Sequence, residues 1–184
     1  MRKILRILAV FAVALPAAVF AWGDTGHRVV CQIAFEELTE TARGEIEYLL
    51  SLDPEFDDFA ESCLFADIPE RIRMFDHFMN VPRSFRAIAT DECPLADTCV
   101  LSAIRGDVAV LEDPASSDAD KLLALKLLGH WVGDIHQPLH IAYQDDRGAN
   151  YIEVDLDVPD ANLHGVWDHS IIAKPGGRLP EHCR

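Results

Sequence analysis

From Asp118 to Ile135 the chain is Leu-rich, opens after Ser116-Ser117 and is closed by Pro138, a pattern that predicts one long helix. Residues four apart on a helix share a face, so His130 and Asp134 must bring an imidazole and a carboxylate to one point. Pro138 then ends the helix and swings His140 into the space beyond Asp134.

The rest of the pattern is also helical. Residues 27–50 carry Val29, Val30, Ile33, Ala34 and Leu38, then Ile46, Leu49 and Leu50, at helical intervals, with Thr39 or Thr41 restarting the helix. Ile68-Pro69-Glu70-Arg71 reads as a further helix start, with Pro in the first turn. Val100, Ile104, Val108 and Leu111 repeat in the same rhythm over 98–111, and a last short helix is expected near His164. Only residues 151–156, after the turn-forming Arg147-Gly148-Ala149-Asn150, alternate like a strand. The expectation is one all-α domain with a small β-hairpin, over residues 22–184.

Residues 1–21 are set apart from it. Arg2, Lys3 and Arg6 form a basic start, Ile7 to Val19 is apolar, and Val19-Phe20-Ala21 offers a small-residue cleavage site, the plan of a secretory signal peptide. The apolar run is shorter than a membrane span requires. Cleavage removes three cations and no acid, so a chain of charge −15 becomes one of 163 residues and charge −18 beginning at Trp22. So acidic a protein is not a nucleic-acid binder of the Lys/Arg-surface kind. Export to the periplasm or beyond makes Cys31, Cys63, Cys93, Cys99 and Cys183 disulfide candidates, and Cys93 with Cys99 could close a short loop around Pro94.

All eight histidines lie after residue 21, and five fall in two clusters, His130, His136, His140 and His164, His169. The step His130-x-x-x-Asp134 recurs as His164-x-x-x-Asp168, and paired imidazole and carboxylate ligands suit zinc. Asp67 and His77 add one more acid and base, although Asp76-His77 also reads as a surface pair. His136 reads as a residue that orients a ligand from behind.

Taken together, Trp22-Gly-Asp-Thr-Gly-His27, His130-x-x-x-Asp134-Ile-His136-Gln-Pro-Leu-His140 and Asn162-Leu-His164-x-x-Trp-Asp168 resemble the S1/P1 nuclease family. That resemblance implies a secreted, mostly helical enzyme with three zinc ions that cuts single-stranded DNA and RNA to 5′-phosphate products, with 3′-nucleotidase action also open to it. It implies that Trp22, through its freed α-amino nitrogen and carbonyl oxygen, and His27 hold one zinc. Asp67, His77 and His130 would hold a second, Asp134 would bridge these two, and His140, His164 and Asp168 would hold the third. Phe78 would stack a base and Asn80 hydrogen-bond its edge. The implied partners are single-stranded DNA and RNA and nucleotides, without a membrane, for a chain expected to be monomeric.

The sequence also departs from the family. The arginine usual three residues after the Asp67 position is replaced by Glu70, which leaves Arg71, on roughly the same helical face as Asp67, as the candidate beside Asp67 for a catalytic role. Phe65 stands where a tryptophan is common, and the chain ends sooner after the last zinc motif than family members do. A zinc-dependent phospholipase C, which shares the N-terminal tryptophan ligand, and an inactive zinc-binding fragment are the alternatives.

Overall fold

A computed structural model describes residues 22–86, 92–155 and 161–173; the expected signal peptide, His182 and Cys183 lie outside them. The helices are α1 (Asp24–Glu36), α2 (Glu40–Leu50), α3 (Phe59–Ser62), α4 (Val100–Glu112) and α5 (Asp118–Ile135). Two 3-10 turns, Met74–His77 and Pro138–His140, each lead into a short strand, β1 (Met79–Val81) and β2 (Ile141–Tyr143). The described chain ends in three consecutive helical pieces: α6 (Leu163–Gly165), a π-helical turn (Val166–Ser170) and α7 (Ile171–Ala173). No described helix is long and apolar enough to cross a membrane.

The caps follow from the residue types. Thr39, Asp58, Ser117 and Asn162 each accept a backbone N–H in the first turn of α2, α3, α5 and α6, satisfying donors that a helix start leaves free. Helix α5 runs through the centre, packed along α4 and against α1, with one apolar cluster on each side. Leu127 and Trp131 join Met79, Val100 and Ala103 in one; Leu125 joins Leu49, Leu50 and Phe59 in the other. Disulfides Cys31–Cys63 and Cys93–Cys99 tie α1 to α3 and close the loop before α4.

Three expectations need correction. Residues 68–71 form no helix: the chain bends there, and the Ile72 N–H reaches back to the Ala66 carbonyl (2.9 Å), a loop closure that replaces the helical ladder. The sheet is not a hairpin, because β1 and β2 pair in parallel, Met79 with Ile141 through Val81 with Tyr143. In the segment read as a strand, only Glu153 bridges Asn162, while residue 156 is not described. The buried face of α1 is also different. Gly26, His27 and Cys31 point inward, leaving Val29 and Ile33 exposed, because the disulfide to Cys63 and the approach of His27 to α5 set the helix's rotation.

Candidate metal centre

Eight of the predicted ligands arrive from separate parts of the chain and end in one buried region. His27 comes from the first turn of α1, Asp67 from the turns after α3, and His77 from the end of its 3-10 turn. His130 and Asp134 come from α5, His140 from the turn after it, His164 from α6 and Asp168 from the π-helical turn. All eight are buried. So are Asp76 and His77, which therefore do not form a surface pair.

Asp134 is the hub. Its Oδ2 lies 3.1 Å from His77 Nδ1 and 3.4 Å from His130 Nε2, and its Oδ1 lies 3.2 Å from His140 Nδ1 and 3.6 Å from His27 Nε2. Asp67 Oδ1 is 3.7 Å from His77 Nδ1, and Asp67 Oδ2 is 3.9 Å from His130 Nε2. The far side of each ring is held by backbone. His77 Nε2–H donates to the Ile72 carbonyl (2.8 Å) and His130 Nδ1–H to the Cys63 carbonyl (2.7 Å). A carbonyl can only accept, so each ring's proton sits there, and the two nitrogens that face each other at 3.1 Å both carry lone pairs. Both Asp134 oxygens and both His27 nitrogens are buried without a hydrogen-bond partner. The facing lone pairs of His77 and His130 beside the buried Asp134 carboxylate call for a cation.

The second grouping, His140, His164 and Asp168, has the same construction. His140 Nδ1–H donates to the His77 carbonyl and His164 Nδ1–H to the Gly148 carbonyl, both at 2.7 Å. His164 Nε2 then lies 3.5 Å from Asp168 Oδ2. Gly148 has φ +63°, and a side chain there would run into the Leu139 carbonyl, so only glycine lets this turn support His164. Gly133 does similar work for His27, whose ring lies where a Cβ would stand.

Charge is arranged to match. Burial pushes His27 down to about 3 and His164 down to about 4, so these two rings are neutral donors, and it lowers His130 as well. Burial alone would raise Asp134, but His130 and His140 overcome it and hold the carboxyl well below the usual range. Burial lowers His140 too, yet the Asp134 charge outweighs it and the net shift is upward. Asp168 is pushed up to about 7 by burial, against the downward pull of its hydrogen bond from Gln137. Imidazole nitrogens beside carboxylate oxygens are a zinc-type donor set. Three groupings are close enough to hold an ion: His27, Asp67 and His130; His77, His130 and Asp134; and His140, His164 and Asp168.

The other predicted residues sit at the margins. The Trp22 indole packs over Gly26 with its Nε1 buried and unpartnered, and the next N–H, of Gly23, donates to the Asp168 carbonyl (2.8 Å). Arg71 reaches Asp67 without a helix, Nε to Oδ1 at 2.7 Å and Nη2 to Oδ2 at 3.3 Å. Phe78 and Asn80 line a cleft of about 130 Å³ with Phe75, Leu95 and Gln144.

Sequence reasoning missed two supports. The orienting role expected of His136 belongs to its neighbour: His136 is exposed and bonded to the Val132 carbonyl, while fully buried Gln137 donates to Asp168 Oδ1 at 2.6 Å. The second support is a network behind His77. Trp131 Nε1–H donates to Asp107 Oδ2 (2.7 Å), and Arg73 joins Asp107 (3.2 Å) to Asp76 (2.6 Å). The Trp131 ring meets His77 and His130 edge-on. The Gln-Pro step next to a predicted ligand could have signalled Gln137; nothing local signals Asp107.

The family described as S1/P1 Nuclease matches residues 22–182. Endonuclease 2 of Arabidopsis thaliana is 34% identical over 92% of this chain and 62% of its own length. Nuclease S1 of Aspergillus oryzae is 31% identical over 94% of this chain and 62% of its own length. Nuclease P1 of Penicillium citrinum is 29% identical over 80% and 57%. The chain thus spans less than two thirds of the length of these curated relatives.

Proposed function

Because this chain belongs to the S1/P1 nuclease family, we propose that it is a zinc-dependent endonuclease of single-stranded DNA and RNA, leaving 5′-phosphate ends. The observation that carries the reading is the pair of facing lone pairs on His77 and His130, beside a buried Asp134 whose oxygens make no hydrogen bond.

On this reading the donors would take three zinc ions. Trp22, once its amine is freed by cleavage, and His27 would hold one, Asp67, His77 and His130 a second, and His140, His164 and Asp168 the third, with Asp134 shared by the first two. Bound zinc supplies Lewis acidity, which makes water nucleophilic at neutral pH and offsets phosphate charge. The chain's own residues do the rest. The backbone carbonyls of Ile72, Cys63, His77 and Gly148 keep each imidazole turned to the centre. Arg71, paired to Asp67, would meet charge that grows on the phosphate. Phe78 offers a base a stacking face, with Asn80 to bond its edge. A paired base cannot reach such a cleft, which favours single strands. Mononucleotides carrying a 3′-phosphate are expected substrates of the same centre. We place the mature chain outside the cytoplasm as a monomer without membrane attachment, and its two disulfides support export.

The test is incubation of the purified mature protein with single-stranded DNA and RNA, with and without a chelator, alongside elemental analysis. About three zincs per chain, 5′-phosphate ends and chelator-sensitive cleavage are expected. Bound zinc with both polymers left intact overturns the reading.

A further inference from the structure

A second, larger cleft adjoins the third grouping. Its volume is about 560 Å³, and Pro138, Leu139, Ala149 and Leu163 are among the residues that line it. Leu139 and Leu163 directly precede His140 and His164, and Ala149 follows Gly148, whose carbonyl holds His164. The cleft is therefore one residue removed from a candidate ligand at two places and from the backbone support of His164 at a third. A volume of this size accommodates a nucleotide.

Its chemistry is unusual for a chain of net charge −15. Arg83, Phe85, Arg86 and Tyr143 all line it. The Arg83 guanidinium lies 4.4 Å from the Tyr143 ring centroid and is tied to Asp145 (2.7 Å) and Asp146 (2.9 Å). Two carboxylates neutralise Arg83 for phosphate, but they fix it as a flat partner on the ring, a surface on which a base can stack. Arg86 is different. It donates only to the carbonyls of Arg83 (2.8 Å) and Phe85 (3.3 Å), and among the described residues no carboxylate pairs with it. Among the described residues, a cation without a carboxylate partner thus stands beside a stacking platform.

We infer that this cleft is a subsite for a neighbouring nucleotide of a single-stranded polynucleotide, its base on the Arg83–Tyr143 stack and its phosphate on Arg86. The inference rests on the nuclease reading for its substrate class. The sheet connects the two clefts: Asn80, which lines the smaller one, pairs in register with Ala142, and Val81 pairs with Tyr143, both at the larger one. A strand seated at Phe78 can therefore continue across β1 and β2 into the second cleft. Any segment that reaches it must be unpaired, since stacking on the platform needs a base free of its complement.

The test compares a single-stranded decamer with a dinucleotide as substrates of the zinc-loaded protein. Arg86→Ala and Tyr143→Ala are each expected to lower the decamer-to-dinucleotide ratio of kcat/KM about tenfold, while Tyr143→Phe, which keeps the ring, retains the ratio. A ratio unchanged in both alanine variants overturns the subsite. Binding of a phosphorothioate-linked deoxythymidine decamer, followed by fluorescence anisotropy, separates this outcome from failure of the nuclease reading. Tight binding that weakens about tenfold in both alanine variants, with no cleavage of any substrate, sinks the activity but supports the subsite. Wild-type protein that does not bind the decamer overturns the subsite.

Discussion

His77 Nδ1 and His130 Nε2 face each other at 3.1 Å, with the ring proton of each committed to a backbone carbonyl on the opposite side. Two acceptors this close are repulsive until a cation lies between them and the neighbouring Asp134. The fold therefore holds a site whose energy is lowered by metal.

Replacing His130 by Ala removes one of the facing nitrogens and the contact to Cys63. Zinc content is expected to fall by at least one ion per chain, and any phosphodiesterase activity by more than about 100-fold. Elemental analysis checks the first independently of the second; full zinc content in the variant would exclude His130 as a ligand.

Gln137→Ala leaves all ligands in place but frees Asp168 Oδ1, which accepts from Gln137 at 2.6 Å. Loss of such an orienting bond typically costs about 10–100-fold in metal affinity. Chelator competition should show one zinc released earlier than in the wild type, with the other two unaffected.

Asp107→Ala strands the indole N–H of Trp131, which is fully buried. An unsatisfied buried donor costs about 1–3 kcal/mol, so thermal melts of the variant should show a clear loss of stability. Arg73→Ala should cost less, because Arg73 is partly exposed and its ion pairs are screened.

The metal-free protein should respond to pH through opposing groups. Folded His27 and His164 titrate at about 3 and about 4, against 6.5 unfolded, so the unfolded chain binds protons first as pH falls. Their contribution to stability is complete above about pH 6.5 and is lost towards pH 3. Asp168 runs the other way, at about 7 folded against 3.8 unfolded, and its buried charge destabilises the apo fold at pH 8. Asp168→Asn should therefore raise the apo Tm at pH 8, with the gain shrinking below about pH 6. Melts in chelator across that range decide it; no gain at pH 8 would contradict the buried charge.

Much of the architecture was legible because it is local. The bounds of α5, the Ser117 and Thr39 caps and the pairs His130–Asp134 and His164–Asp168 follow from spacing within a few residues. The Cys93–Cys99 bridge was legible for the same reason. The rotation of α1 was not, because its apolar rhythm fits more than one face and the deciding contact is Cys31 with Cys63, 32 residues away. Residues 68–71 misled because Pro suits a helix start as well as a bend, and the Ala66–Ile72 closure that selects the bend has no spacing signature.

By itself the sequence determined that α2, α4 and α5 form, where α2 and α5 start, and which side chains are of the right kind to hold metal. Only the tertiary structure decided which nitrogen of each histidine is free. That choice depends on carbonyls 67 and 63 residues away for His130 and His140. A backbone carbonyl has no sequence identity, so the contact that selects the tautomer is invisible until the chain is packed.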